Sequence, residues 1–247
     1  MQAEPVLRRV LVIGSGGGIG RALINHLVND PEFQEVHSVS RNSQTPVHAK
    51  CRHYVVDSLD EQAVHGISKQ LEVAGRFSLI ICCIGQLHGE GLSADAPEKR
   101  LESIQSENLK HYFEVNTLAP LNWIKQLPKL MLKTEPTHAV FFSARVGSIE
   151  DNQLGGWYGY RASKAALNML LKTAQIELQR RLPKLSLVSY HPGTVDTALS
   201  VPFQQNVPER KLFTPEFTVQ QLMAHLALLP AASAPHFIDW QGERIPW

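Results

Sequence analysis

The sequence predicts an α/β protein: a single doubly wound domain whose seven-stranded parallel sheet is flanked by helices. Three observations carry that prediction. Short, continuous apolar runs such as Val10–Ile13 and Phe77–Ile84 recur along the chain, the pattern of strands buried on both faces. Segments with helical spacing alternate with them, as the crossovers between parallel strands require. A glycine cluster, Gly14 to Gly20, stands directly between the first run and the first helical segment. The chain has 247 residues, 43% hydrophobic and 19% charged, which suits one large domain with a sizeable core. A formal net charge of +1 points away from nucleic acid and from anionic membrane surfaces as partners. The three cysteines, Cys51, Cys82 and Cys83, lack metal-ligand spacing, so reduced thiols, a cytoplasmic setting and no metal are expected. No apolar run reaches the length of a membrane span, and the first residues lack the apolar region of a signal peptide.

Val10–Ile13 is the first strand. The glycine loop follows at once and opens a helix over Arg21–Val28, which Pro31 ends. Strand, glycine loop, helix is the setting of a dinucleotide fingerprint. Glycines let the backbone approach a pyrophosphate, and the helix start supplies amides and the positive dipole end. Gly14, Gly18 and Gly20 are spaced G-x-x-x-G-x-G, with Ile19 between the last two; the commoner fingerprint is G-x-G-x-x-G. The second strand, Glu35–Ser40, ends without the carboxylate that binds a ribose 2′-hydroxyl. Arg41 follows instead, and a guanidinium pairs with a 2′-phosphate, which favours NADP, with NAD as the alternative.

Arg52–Asp57 is a third strand ending in an acid. A crossover helix runs from Asp60 to Val73, closed by Gly75. Phe77–Ile84 is the fourth strand, and Gly85 follows it. Residues 86–97 read as a polar loop, and 97–133 as a long helical region broken near Ser106. Within that region Pro120 removes the hydrogen bond to the carbonyl of Asn116 and clashes with it. Thr137–Phe142 is the fifth strand, Trp157–Arg180 a long helix with an apolar stripe, and Ser186–Tyr190 the sixth strand. Residues 198–214, with Val201, Phe203 and Phe213 among polar neighbours, read as a mobile substrate lid. Thr214 and Pro215 form an N-cap signature for a helix to about Leu229. A last strand begins at Phe237.

Tyr160 and Lys164 stand at the front of the long helix. A spacing of i and i+4 sets a phenol and an ammonium on one face. A nearby cation lowers a phenol from its ordinary pKa of about 10. Such a pair is a proton donor for a carbonyl or an acceptor for an alcohol.

In this order the motifs resemble the short-chain dehydrogenase/reductase family, in its small single-domain Rossmann form, over nearly the whole chain. The chain's ending, with Gly147-Ser148-Ile149 and Gly155-Gly156-Trp157-Tyr158, looks most like the sniffer-type carbonyl reductase and C-signal branch. The resemblance implies an NADP-dependent oxidoreductase that reduces an aldehyde or ketone to an alcohol, or runs the reverse reaction. It implies that Tyr160 is the acid/base, that Lys164 binds the nicotinamide ribose, and that Asn116 supports a water relay. It implies cofactor contacts at Gly14, Gly18, Ile19, Gly20, Arg41, Gly85, Pro192, Gly193, Val195 and Thr197. Asp57 reads equally as a neighbour of the adenine and as an ordinary turn or N-cap residue. A homodimer or homotetramer, paired through the two long helical regions, is also implied.

The sequence departs from the family in two places. Cys82-Cys83-Ile84-Gly85 replaces Asn-Asn-Ala-Gly, and the thiols read as small buried hydrophobes. Ala144 occupies the register of the serine that polarises the substrate carbonyl. Ser143 takes that role only if the strand end is irregular, because a one-residue slip turns a side chain to the opposite face. Ser148 is the weaker alternative, and His191, before Pro192, reads as structural. Two other readings stay open: an NADP-binding regulator or scaffold without turnover, and an NAD-dependent alcohol dehydrogenase.

Overall fold

Strands β1 (Arg9–Ile13), β2 (Glu35–Ser40), β3 (Cys51–Val55), β4 (Leu79–Cys82), β5 (Thr137–Phe142) and β6 (Leu185–His191) carry the apolar runs of the sequence. In the computed structural model, which describes residues 7–44, 46, 48–94, 96–230 and 234–247, they form one parallel sheet with a seventh strand near the chain end. A separate two-residue ladder pairs β7 (Thr194–Val195) with β8 (Leu212–Phe213), and β9 (His236–Asp239) completes the large sheet. The order is β3-β2-β1-β4-β5-β6-β9, so the strand order reverses between β1 and β4. That reversal opens a crevice at the carboxyl ends of the strands, where ligands bind in such sheets.

Alternation along the strands feeds two cores. Leu11, Ile13, Ile80, Phe141 and Leu187 face one layer, with Leu71 of α2 (Glu61–Ala74), Trp123 of α4 (Ala119–Ile124) and Leu167 of α6 (Tyr158–Leu178). Val10, Val12, Ile81, Val140 and Val188 face the other, with Leu23 and Leu27 of α1 (Gly18–Asn29) and Leu222 of α7 (Pro215–Leu226). The doubly wound parallel sheet predicted from the sequence is therefore the observed fold. Asp60 caps α2 through Gln62 and Ala63 N–H groups, and Thr214 caps α7 through Phe217 N–H. Asp57 instead accepts from Leu59 N–H at 3.0 Å, closing a turn.

The predicted helix over 97–133 is corrected. Residues before Ser106 hold only a single tight turn, Leu101–Ser103, and the helix proper is α3 (Ser106–Phe113). A π-helical segment, Glu114–Leu118, then leads into α4, and α5 (Leu127–Leu130) follows. Ala119 N–H bonds to the carbonyl of Glu114, five residues back. Pro120 has no N–H to continue the regular ladder and sits in the first turn of α4, so the register slips by one residue. Residues 198–214 contain two short helical turns and β8, whose ladder to β7 ties the far end of the predicted lid to the sheet side.

The glycine loop is built by close backbone approach. Gly14 adopts a φ of +83°, and a Cβ on Gly20 would lie 2.4 Å from the Gly14 carbonyl oxygen and 2.7 Å from Ser15 Cα. Gly20→Ala should therefore lower stability by about 1–3 kcal/mol through overpacking against rigid backbone. The check is the denaturation midpoint, and an unchanged midpoint would contradict this packing.

Candidate active site

The site grows from the start of α6. Trp157 precedes the helix with a left-handed φ of 53° and makes no side-chain cap. The cap comes from elsewhere in the chain. Glu98, wholly buried, accepts Trp157 N–H on its carbonyl and Gly159 N–H on Oε2, the latter at 3.4 Å. Gly159 is required by contact, since a Cβ would lie 2.4 Å from the Tyr112 ring. Tyr112 of α3, fixed by donating to the Leu87 carbonyl at 2.7 Å, meets the Tyr160 ring edge-on, with centroids 6.1 Å apart. Leu87, Tyr112, Ala144 and Tyr160 form a small apolar cluster, against which Trp157 and Phe203 pack. Phe203, from the predicted lid, reaches the Trp157 ring at 5.2 Å and the His88 ring at 5.8 Å.

One turn beyond Tyr160, Lys164 is 2% exposed. Its Nζ donates to the Phe142 carbonyl at 2.9 Å and lies 5.9 Å from the Tyr160 ring centroid. A Cβ on Gly85 would come within 3.2 Å of that Nζ and 3.6 Å of Asn116 Oδ1, so glycine keeps this space open. Asn116 accepts from Gln86 N–H at 2.8 Å and donates through Nδ2 to the Gln86 carbonyl and Ser163 Oγ. The structure thus gathers Tyr160, Lys164, Asn116 and Gly85 at one place.

Ser143 is not brought there. Its hydroxyl donates to Asn168 Oδ1 at 2.7 Å, the same oxygen that takes the Ser189 hydroxyl, and the three groups tie β5 and β6 to α6. Ala144 is the residue in the Tyr160 cluster, as the count back from Gly147 implies. Ser148 Oγ accepts Asp151 N–H and serves a turn.

Burial sets the protonation states. It raises the Tyr160 phenol above its ordinary value, and no cation offsets the shift. The lowering expected from Lys164 is not found: burial alone sets the direction of the Tyr160 shift. Burial brings Lys164 down to about 8, opposed by the Cys82 thiol. Burial also pushes the Cys82 thiol up to about 12 and raises Cys83, so neither is a ready nucleophile.

The expected cofactor residues line the carboxyl ends of β1, β2, β4 and β6. Gly14 and Ser15 N–H both bond to the Val39 carbonyl, and a Cβ on Gly14 would approach the Cys83 carbonyl carbon at 3.2 Å. The segment Pro192 to Thr197 crosses from β6 to the glycine loop, where a Cβ on Gly18 would meet Thr197 Cγ2 at 2.7 Å. Arg41 is exposed at the end of β2, beside a loop held by Ser40, Gln44 and His53 side chains. Among the described residues no cluster of His, Cys, Asp and Glu could hold a metal ion, and no helix is long and apolar enough to cross a membrane. Sequence reasoning missed Glu98 and Tyr112. Tyr112 stands four residues before Asn116 on one helical stretch, a signal that was available; Glu98 gave no local signal.

The sequence profile of the short chain dehydrogenases matches residues 8–208. A 1-hydroxy-2-glutathionyl-2-methyl-3-butene dehydrogenase of Rhodococcus sp. (strain AD45) is 31% identical over 145 residues, 59% of this chain and 61% of that protein. The chain thus matches about three fifths of that relative's length. C-signal of Myxococcus xanthus is 29% identical over 147 residues, 60% of this chain and 83% of that protein. Carbonyl reductase Sniffer of D. melanogaster shares the fold at a TM-score of 0.83 and 21% identity, covering 98% of this chain and 100% of that one. The NADPH-bound carbonyl reductase from chicken fatty liver does so at 0.82 and 20%, covering 98% and 94%.

The lowered Lys164 has a stability signature. Above about pH 8 the folded chain has released this proton while the unfolded chain, with an ordinary lysine near 10.5, still holds it. Stability contributed by this group therefore rises with pH through that window. Between pH 7 and 9, wild type should gain stability relative to Lys164→Met in denaturant titrations. A constant difference would contradict the burial of a titrating lysine.

Proposed function

The chain belongs to the short-chain dehydrogenases, a family of oxidoreductases, and from that premise we propose that it reduces an aldehyde or ketone with NADPH. The carrying observation is the buried Tyr160 in an apolar cluster, with Lys164 and Asn116 beside it and Gly85 letting the Lys164 ammonium approach. The residues fit a dinucleotide. Gly14, Gly18 and Gly85 let the glycine loop, the end of β4, the Pro192–Thr197 segment and Lys164 approach closely, since a Cβ would press on Cys83 and Ile84, on Thr197 and on Lys164. Arg41, exposed at the end of β2, suits a 2′-phosphate. The NADPH bound to the chicken reductase of the same fold supports that choice.

When bound, NADPH supplies the hydride. Tyr160, kept neutral by burial, is the proton donor to the carbonyl oxygen. On loss of that proton the phenolate would stand near the Lys164 ammonium, whose Nζ lies 5.9 Å from the ring centroid, and exclusion of water would strengthen their attraction. Asn116 fixes the π-helical segment and the start of the loop after β4 against α6. Ala144 supplies no second donor, so polarisation of the carbonyl rests on Tyr160. Trp157 and Phe203, partly buried against the Tyr160 cluster, give the substrate an apolar wall. Met169 and Ile176, 61% and 67% exposed on α6, support self-association through this helix.

The missing hydroxyl at Ala144 favours one second reading, an NADP-binding regulator without turnover. NADPH oxidation with a panel of aldehydes and ketones separates the two: turnover supports the reductase, and binding without turnover supports the regulator. Tyr160→Phe should cut turnover by about 10²–10⁴-fold while NADPH affinity is kept; full activity would refute the mechanism. Arg41→Asp should weaken NADPH about tenfold or more and leave NADH little changed. A wild type that prefers NADH would refute the role given to Arg41.

A further inference from the structure

A second cleft, of about 520 Å³, lies at the carboxyl ends of β6 and β9. It shares Gly193 and Thr194 with the Pro192–Thr197 segment expected at the cofactor, and it includes Arg145, the neighbour of Ala144. Its construction is specific. The β7–β8 ladder pairs Thr194 with Leu212 and Val195 with Phe213, which brings Arg210 and Lys211 to the rim. Phe213 and Trp240 form one wall, with centroids 4.4 Å apart. That wall closes because residue 193 is glycine: its φ is +75°, and a Cβ would lie 2.6 Å from the Phe213 ring and 3.0 Å from Trp240.

The charges of the cleft are unevenly matched. Arg145 is answered by two acids, Asp239 at 2.7 Å and Asp151 at 3.5 Å. Asp239, buried, also accepts the N–H groups of Gln241 and Glu243. Arg210 and Lys211, both exposed, enter no ion pair among the described residues. His191 Nδ1 is buried and has no hydrogen-bond partner. An unpaired buried polar atom is costly and calls for a partner. Burial and the Arg145 charge bring His191 down to about 4, so the ring is neutral at pH 7 and can donate from Nδ1.

We propose that this cleft holds the carboxylate of an acidic carbonyl substrate, between Arg210, Lys211 and His191, with its apolar body against Phe213 and Trp240. The proposal rests on the reductase reading and narrows its substrate class. Two cations and a free donor match a carboxylate, and the aromatic wall matches an apolar body.

The test compares 4-carboxybenzaldehyde with its uncharged methyl ester, using NADPH, in wild type and in Arg210→Ala/Lys211→Ala. Wild type should favour the acid in kcat/KM, and the double variant should lower the acid-to-ester ratio about tenfold, chiefly through KM. No preference in wild type, or an unchanged ratio in the variant, overturns the proposal. If neither aldehyde is reduced, the reductase reading is judged by the panel of aldehydes and ketones, and the cleft by calorimetric titration of benzoate against benzyl alcohol. Benzoate binding that weakens about tenfold in the double variant upholds the anion site. Equal binding by both proteins, or none by wild type, overturns it.

Discussion

Removal of Tyr160 and Lys164 from water is the constraint on which the rest of the structure depends. The two side chains are 7% and 2% exposed, and burial penalises the charged form of each. The phenol rises and the ammonium falls, so two values that start close together move apart and the neutral phenol is favoured. A proton leaving the phenol creates an anion where a cation already stands, in surroundings where charges are weakly screened. The chemistry assigned to the site follows from that desolvation more than from any direct bond between the two groups.

Much of the fold maintains this desolvation. Pro120 forces the π-helical slip, which sets Asn116 against Gln86 and Ser163 rather than along a regular helix. Gly85 and Gly159 permit the approach of Lys164 and Tyr112, because a Cβ at either position would press on those side chains. Glu98 anchors the first turn of α6 from a distant loop. Ser143, Ser189 and Asn168 bind the sheet to the same helix further along. Phe203 and the β7–β8 ladder bring the 198–214 segment to the edge of the Tyr160 cluster and of the neighbouring basic cleft.

What was legible in the sequence was local. Buried strands announce themselves by apolar runs, the glycine loop by its place between strand and helix, and Tyr160 with Lys164 by helical spacing. The distortion at Asn116 was readable from Pro120 alone, because a missing N–H acts within one turn. Contacts between distant segments were not legible. Nothing near Glu98 marks it as a cap for Gly159, and nothing near Ser143 names Asn168 as its partner. The helix expected from Pro97 is absent up to Ser106, where the chain is instead engaged with the start of α6. The basic cleft needs β7 to pair with β8, a ladder of two residues per strand that leaves no periodic trace.

The most direct measurement follows a label. Aldehyde is reduced with NADPH carrying deuterium at the transferring position of the nicotinamide, in ordinary water, and the alcohol is read by mass spectrometry and NMR. One deuterium on the carbinol carbon is the predicted result, with the hydroxyl proton drawn through Tyr160. Alcohol lacking the label, or cofactor bound and never consumed, would contradict the assignment of the Tyr160 cluster as a site of carbonyl reduction.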